Sequence, residues 1–401
     1  MAWIESFKVN GLAGRTGPVE HTLDRNLNIF WGLNGSGKTT LLRILHAALT
    51  NDITTLGELP FDSAEVVFRI GQDDKRLKRT FSKEEADANE EHDEDGLFLS
   101  SDISIDEPWY YRESHSNGGW TTTAEDDDTE PSPDYLERRF AHSYLPITRV
   151  AEGNRRVPRS AEDPKRASDE VFVAQVRERW RDYSLRSFVA IREAQQQGLA
   201  TVLAILFGGS SNKNKQSLGV DDVEPVEAYN LVRSFLEEQH ILLQMEQSDF
   251  ISKFETHTEH RQVVAEIQKV KHLTDDVLAP QKEFQRIIDF MYRGNKRLVL
   301  GGSRIPRRYR PSAIGVEIDD RAISLKSLSS GEKQLLQILL EVLSSNKDTV
   351  IIDEPELSLH VNWQQQLVTS MRRINDDCQL LLASHSPEIM AEVSDDHIFE
   401  L

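Results

Sequence analysis

One stretch limits this chain more than any other: Phe30-Trp31-Gly32-Leu33-Asn34-Gly35-Ser36-Gly37-Lys38-Thr39-Thr40. It fits G-x-x-x-x-G-K-T, a phosphate-binding loop, and runs directly into the helix-like Leu41-Leu42-Arg43-Ile44-Leu45-His46. Gly32, Gly35 and Gly37 are expected to take positive φ and let the backbone approach a polyphosphate. Asn34, Gly35, Ser36, Gly37, Lys38, Thr39 and Thr40 then form the cradle, whose N–H groups and helix N-terminus attract negative charge. Lys38 is placed to reach the β- and γ-phosphates of ATP, and Thr39 to offer its hydroxyl to Mg²⁺. Leu27–Trp31 reads as the buried strand that feeds the loop.

Composition bounds the rest. With 401 residues, 38% hydrophobic and 28% charged, the chain suits a soluble globular protein of about two or three structural units. No apolar run approaches the roughly 20 residues that span a bilayer, so no membrane role is expected. Met1-Ala2-Trp3-Ile4-Glu5 lacks the basic start and apolar run of a secretory signal. Cys378 is the only cysteine, which excludes an intrachain disulfide and points to a reducing cytoplasm. A net charge of -20 argues against general coating of nucleic acid, while leaving room for one local basic groove.

Along the chain, Trp3–Asn10 and Val19–Leu23 read as strands around a turn through Gly11 and Gly14. Ala64–Ile70 and Leu77–Phe81 read as two more, forming a small antiparallel sheet beside the nucleotide. The acidic runs Glu84–Asp95 and Glu125–Asp128 read as solvated loops or as a flap, with Trp109-Tyr110-Tyr111 as a short anchoring strand between them. Ala141–Ile147 reads as a core strand, followed by an Arg-rich loop carrying Arg149, Arg155, Arg156 and Arg159. From Ser168 to about Met291 the period becomes helical, through Val171, Val173, Val176, Trp180, Leu185, Phe188, Val189 and Ile191. Leu231, Phe235, Leu242, Met245, Phe250 and Phe254 are the expected seam of a helical hairpin or bundle, and Pro280 should end or kink its last helix. Strands return at Lys296–Leu300, Ile314–Ile318 and Ile323–Leu325, with the basic loop Arg304–Arg310 between the first two. The expected divisions are 1–167, a first lobe; 168–295, a helical insertion; and 296–401, a second lobe.

The second lobe carries three further motifs. Leu328-Ser329-Ser330-Gly331-Glu332 opens an amphipathic helix, where Ser329, Ser330, Gly331 and Glu332 offer hydroxyls and free N–H groups to a phosphate. Thr349-Val350-Ile351-Ile352-Asp353-Glu354 is an apolar strand ending in two carboxylates. Asp353 suits Mg²⁺ organisation and Glu354 suits activation of an attacking water. Gln379–Ser384 is another buried strand, ending in His385, at the strand end where open α/β sheets bind ligands.

This ordered set resembles an ABC-type ATPase head, the α/β fold of the SMC, RecF and OLD-like proteins: a mixed sheet flanked by helices, a small antiparallel sheet and, here, an inserted α-helical hairpin or bundle. Asp-Glu-Pro-Glu-Leu-Ser-Leu-His and Ser-His-Ser-Pro-Glu resemble the OLD-like branch in particular. The resemblance covers residues 1–70 and 296–401. It implies a Mg²⁺-dependent ATP hydrolase with Lys38, Glu354 and His385 as catalytic groups, and Thr39 and Asp353 on the metal. It also implies a homodimer or larger homo-oligomer that sandwiches ATP, with Ser329, Ser330 and Gly331 of one copy facing the γ-phosphate held by Lys38 of the other. His360 stands where the family usually has Asp, and the loop after Tyr144-Leu145-Pro146 stands for its Q-loop, with Arg149 taking part of that work. OLD-like proteins usually continue into a Toprim nuclease; here sixteen residues follow His385, so no nuclease activity of its own is expected. The favoured role is that of a stand-alone ATPase of the Septu or PARIS type, holding or releasing a separate effector nuclease in anti-phage defence, with a phage protein as trigger. A RecF-like DNA-repair clamp, binding duplex through the loops at Arg155 and Arg307–Arg310, stays open, and a transport ATPase is a distant third.

Overall fold

The apolar–polar alternation of residues 63–70 matches the two-residue period of a strand with one buried face. In the computed structural model burial alternates residue by residue from Ser63 to Ile70. The structure describes residues 2–70, 75–84, 120–124, 142–146, 164–207, 223–239, 241–292, 294–301, 314–345 and 348–401. Residues 85–95 and 125–128 of the acidic runs, Trp109–Tyr111, Arg149–Arg159 and Arg304–Arg310 lie outside the described residues.

The N-terminal part supplies β1 (Ala2–Asn10), β2 (Val19–Thr22), β3 (Leu27–Trp31), α1 (Lys38–Thr50), β4 (Ser63–Ile70), β5 (Lys75–Ser82), β6 (Thr121–Ala124) and β7 (His142–Leu145). Helices α2 (Pro164–Leu206), α3 (Pro225–Glu238), α4 (Gln247–Thr256) and α5 (Thr258–Met291) follow. The C-terminal part holds β8 (Lys296–Leu300), β9 (Ile314–Ile318), β10 (Arg321–Ile323), α6 (Ser330–Ser344), β11 (Thr349–Asp353), α7 (Val361–Ile374), β12 (Gln379–Ser384), α8 (Pro387–Met390) and β13 (Ile398–Glu400).

Three sheets result: β2-β1-β4-β5-β6, β10-β9-β8 and β13-β3-β12-β11-β7. The first two are antiparallel and the third is parallel throughout. Strands β11 and β12 are buried along their whole length, which is why they read as unbroken apolar runs. Strand β7 takes the edge beside β11, so alternate residues are only partly covered. Helix α1 packs Leu41, Ile44 and Leu45 into a core shared with Phe68 of the antiparallel sheet and Ile351 and Leu381 of the parallel one. Buried Arg79 of β5 donates to the carbonyls of Ala48 and Leu49, supplying a cation to the last turn of α1.

The chain separates into two compact units, one of residues 1–180 and 283–401 and one of residues 181–282. The boundaries thus fall inside the stretch that helical periodicity marks as one insertion. The reason is local. The first turns of α2 are tied to α6 by Asp169–Lys333 at 2.6 Å and Arg179–Glu341 at 2.9 Å. At the other end, Glu283 of α5 pairs with Arg373 at 3.0 Å, and Tyr292 donates to the Glu332 carbonyl at 3.0 Å.

In the second unit Val232, Phe235, Phe250, Phe254, Val264 and Ile267 form the core. A side chain at Gly198 would meet Val270 Cγ2 at 2.2 Å, so glycine sets how closely α2 and α5 approach. One expectation changes here. Leu242 is 81% exposed, because it lies in the link between α3 and α4 rather than on a helix face. Leu185, Phe188 and Val189 hold their helical spacing on α2 but are exposed. Helix α5 runs on through Pro280 to Met291, forgoing the one N–H that proline lacks. In the C-terminal part, Ser324 caps a 3₁₀ turn at Leu325–Ser327 by accepting from Lys326 N–H, so strand β10 ends at Ile323 rather than continuing to Leu325. Among the described residues no helix is long and apolar enough to cross a membrane.

Candidate nucleotide site

Strand order brings the site together. Strands β3, β12 and β11 are parallel neighbours, with Trp31 opposite Ser384 and Ala383 opposite Asp353. The phosphate loop, His385 and Asp353-Glu354 therefore leave the carboxyl ends of three adjacent strands. The Glu354 N–H donates to the Ala383 carbonyl at 2.9 Å, which locks the last two together.

Within the loop, Gly35 and Gly37 have φ of 87° and 99°, as expected of glycines. Gly32 is not among the positive-φ glycines; its requirement is space. A Cβ there would stand 2.4 Å from the Leu401 carbonyl oxygen, because Leu401 donates its N–H to Trp31 beside β3. Asn34 and Gly35 are exposed, while Thr39 and Thr40 lie in the first turn of α1, partly covered. The Lys38 ammonium is buried and donates to the carbonyls of Gly32 at 2.6 Å and Leu33 at 3.1 Å. The Ser36 hydroxyl is buried without a partner. An orphaned hydroxyl, a buried ammonium and left-handed glycines ahead of a helix N-terminus are what a polyphosphate cradle requires.

Asp353 is fully buried at the end of β11, and the Thr39 hydroxyl donates to its carboxylate. Burial raises its pKa to about 6; Thr39, Arg43 and Lys38 oppose the shift, and Glu354 adds to it. A buried carboxylate beside a threonine hydroxyl fits a hard divalent cation. The sign of the stability effect follows from the raised value. The neutral form is favoured in the folded state, so Asp353 costs nothing below about pH 4, and the cost grows as pH rises to about 6 and persists at pH 7. Asp353→Asn should therefore stabilise the nucleotide-free protein by up to about 3 kcal/mol at pH 7 and hardly at all at pH 4. Urea unfolding at the two pH values reads this directly; equal stability of both proteins at pH 7 would contradict it.

Glu354 sits in the left-handed region with φ of 47°, a strained conformation for a side-chain-bearing residue. Nδ1 of His385 lies 3.3 Å from Glu354 and 3.2 Å from Glu356. Sequence reasoning quoted Glu356 but gave it no role; a third carboxylate three residues after Asp353 was the available signal. Arg43, one turn beyond Thr39 on α1, was missed as a cation acting on Asp353. A cleft of ≈ 350 Å³ opens beside His385, bordered by Glu356, Ser358, Gln364 and Glu388.

The signature motif is placed differently from the other groups. Ser329 is the N-cap of α6, and its hydroxyl accepts from Glu332 N–H in a full capping box. Glu332 is buried, its carboxylate taken up by Ser329 N–H at 2.8 Å and Lys296 at 2.5 Å. Burial alone would raise its pKa, but the Lys296 and Ser329 bonds prevail and hold it low. That carboxylate does structural work, while Ser329 and Ser330 remain exposed. A Cβ on Gly331 would lie 2.5 Å from the Ser358 carbonyl, and Gln334 donates to the Pro355 carbonyl at 3.0 Å. The signature helix is thus seated on the loop that follows Glu354. His360 caps α7 by accepting at Nδ1 from Asn362 N–H, a cap that the usual Asp would also serve.

A family model described as "AAA domain, putative AbiEii toxin, Type IV TA system" matches residues 27–391. "Retron Ec83 probable ATPase" from Escherichia coli is 25% identical over 114 residues, which cover 25% of this chain and 21% of that protein. "Retron Vc95 probable ATPase" from Vibrio cholerae serotype O1 biovar El Tor is 32% identical over 89 residues, or 19% of this chain and 17% of its own length. The match thus spans about a fifth of the length of these curated relatives. A solved structure of the Smc head domain of Pyrococcus furiosus with an extended coiled coil, bound to the C-terminal domain of ScpA, aligns over 98% of this chain and 92% of its own. Its identity is 12% and the TM-score 0.44.

Proposed function

The chain belongs to this AAA-domain family of P-loop ATPases, and we propose that it hydrolyses ATP between two copies of itself and so controls a separate effector nuclease in anti-phage defence. The observation that carries the hydrolytic part is the convergence of Lys38, Asp353, Glu354 and His385 at the ends of neighbouring strands. Residues 34–40 wrap the polyphosphate with backbone N–H groups, and Lys38 exchanges its loop carbonyls for phosphate oxygens. Thr39 and Asp353 would hold Mg²⁺, which when bound neutralises charge on the phosphates. Glu354 takes the proton of the attacking water, and its partial exposure lets water reach it. His385 meets the γ-phosphate side of the site.

Ser329 and Ser330 stay exposed on α6, in keeping with a signature that serves the site of a second copy. Ser330→Arg is the test. It should leave ATP affinity within about two-fold of the parent while hydrolysis falls at least about ten-fold and loses its dependence on protein concentration. Loss of ATP binding itself would refute the two-copy site. The defence role draws its support from the two retron ATPase relatives. Its check is the neighbouring gene: a Toprim or HNH nuclease that forms a complex with this chain supports the reading, and failure of the two to bind counts against it. The DNA-clamp alternative requires ATP turnover stimulated by DNA in a salt-sensitive way.

A further inference from the structure

Two carboxylates and one imidazole meet at the end of β12. His385 Nδ1 lies 3.3 Å from Glu354 Oε1 and 3.2 Å from Glu356 Oε1. The same Glu356 oxygen accepts the Ser384 hydroxyl at 2.8 Å and the His385 backbone N–H at 2.9 Å. Glu356 is 5% exposed and its second oxygen is buried without a partner. A carboxylate stripped of water in this way is held by the two hydrogen bonds it accepts, from the Ser384 hydroxyl and the His385 backbone N–H, with the His385 ring nitrogen beside the same oxygen.

We propose that Glu356 is the positioning residue of His385: it fixes the turn after β12 and selects the ring tautomer. The proposal rests on the ATPase reading above for its consequence in turnover. Ionised carboxylates only accept hydrogen bonds, so a ring nitrogen between two of them carries the hydrogen. His385 is therefore held with Nδ1–H inward, leaving Nε2 on the far side of the ring as the nitrogen that meets the phosphate. Sharing that hydrogen also matters to Glu354. With Glu356 taking part of it, Glu354 keeps accepting capacity for the proton of water.

The three ligand atoms lie within 4.8 Å of one another, a spacing that would also suit a divalent cation. The hydrogen-bonded arrangement is favoured because the backbone N–H of His385 points at Glu356 Oε1 and cannot turn away from an incoming cation.

The test uses the full chain with Glu356→Gln, which keeps the shape and removes the charge. Expected are a kcat lower by about 10- to 100-fold and an ATP KM within about two-fold of the parent. In ¹⁵N-histidine spectra the signal lost in His385→Ala should show the Nδ1–H form in the parent and a shift toward Nε2–H in Glu356→Gln. Glu356→Asp, which keeps the charge, should recover part of both. An unchanged tautomer overturns the proposal, as does a fall in kcat matched by lost ATP affinity and a lowered melting temperature. Tetrahedral Co²⁺ absorption in the parent that disappears in Glu356→Gln would also overturn it, in favour of a cation site. The tautomer is read without ATP, so it judges the Glu356–His385 contact even if the chain proves to hydrolyse nothing.

Discussion

Glu354→Gln is expected to bind ATP and barely hydrolyse it, with kcat lower by about 100- to 10,000-fold, the range for loss of a general base. Glutamine keeps the length of the side chain, the left-handed backbone at φ 47° and the N–H bond to Ala383. What it cannot do is take a proton, so the loss should appear in turnover and leave nucleotide affinity intact. Bound ATP that cannot be cleaved should also hold two copies together, shifting the protein to a dimer in size-exclusion chromatography with ATP and Mg²⁺. Single-turnover measurement with labelled ATP separates the steps. A variant that still hydrolyses within about ten-fold of the parent would move the base elsewhere.

Lys38→Ala should abolish measurable nucleotide binding. The buried ammonium lies against the carbonyls of Gly32 and Leu33, so it is positioned at the loop before any phosphate arrives. Each charge-assisted bond to phosphate contributes about 1.5–3 kcal/mol, so losing two raises the dissociation constant by roughly 100-fold or more. Calorimetric titration with ATP measures it. The same substitution leaves two loop carbonyls without their donor, so a melting curve of each protein must accompany the titration. Tight ATP binding by a folded Lys38→Ala protein would refute the phosphate-loop assignment.

Much of the fold was legible because its strongest signals are local. The strand–loop–helix of residues 27–50, the alternating strand at 63–70 and the apolar strands at 349–353 and 379–384 each announce themselves within a dozen residues. Lateral position was not legible. Leu185, Phe188 and Val189 keep a helical period yet stay exposed, since periodicity shows that a face exists and not what covers it.

The identity of the chemistry therefore belongs to the sequence: a phosphate loop, a carboxylate pair and a terminal histidine are recognisable by residue type and order. Their meeting belongs to the tertiary structure. Gly32 is separated from Leu401 by almost the whole chain, yet it must be glycine because β13 lies beside β3 and brings a carbonyl against it. Glu356 looks like one more acid in an acidic protein until β12 delivers Ser384 and His385 to its one oxygen. Glu332, which the motif offers to a phosphate, is instead taken by Lys296 and its own N-cap. Chain order states which groups are present; the pairing of parallel strands, set by which apolar runs bury each other, decides which of them face one another.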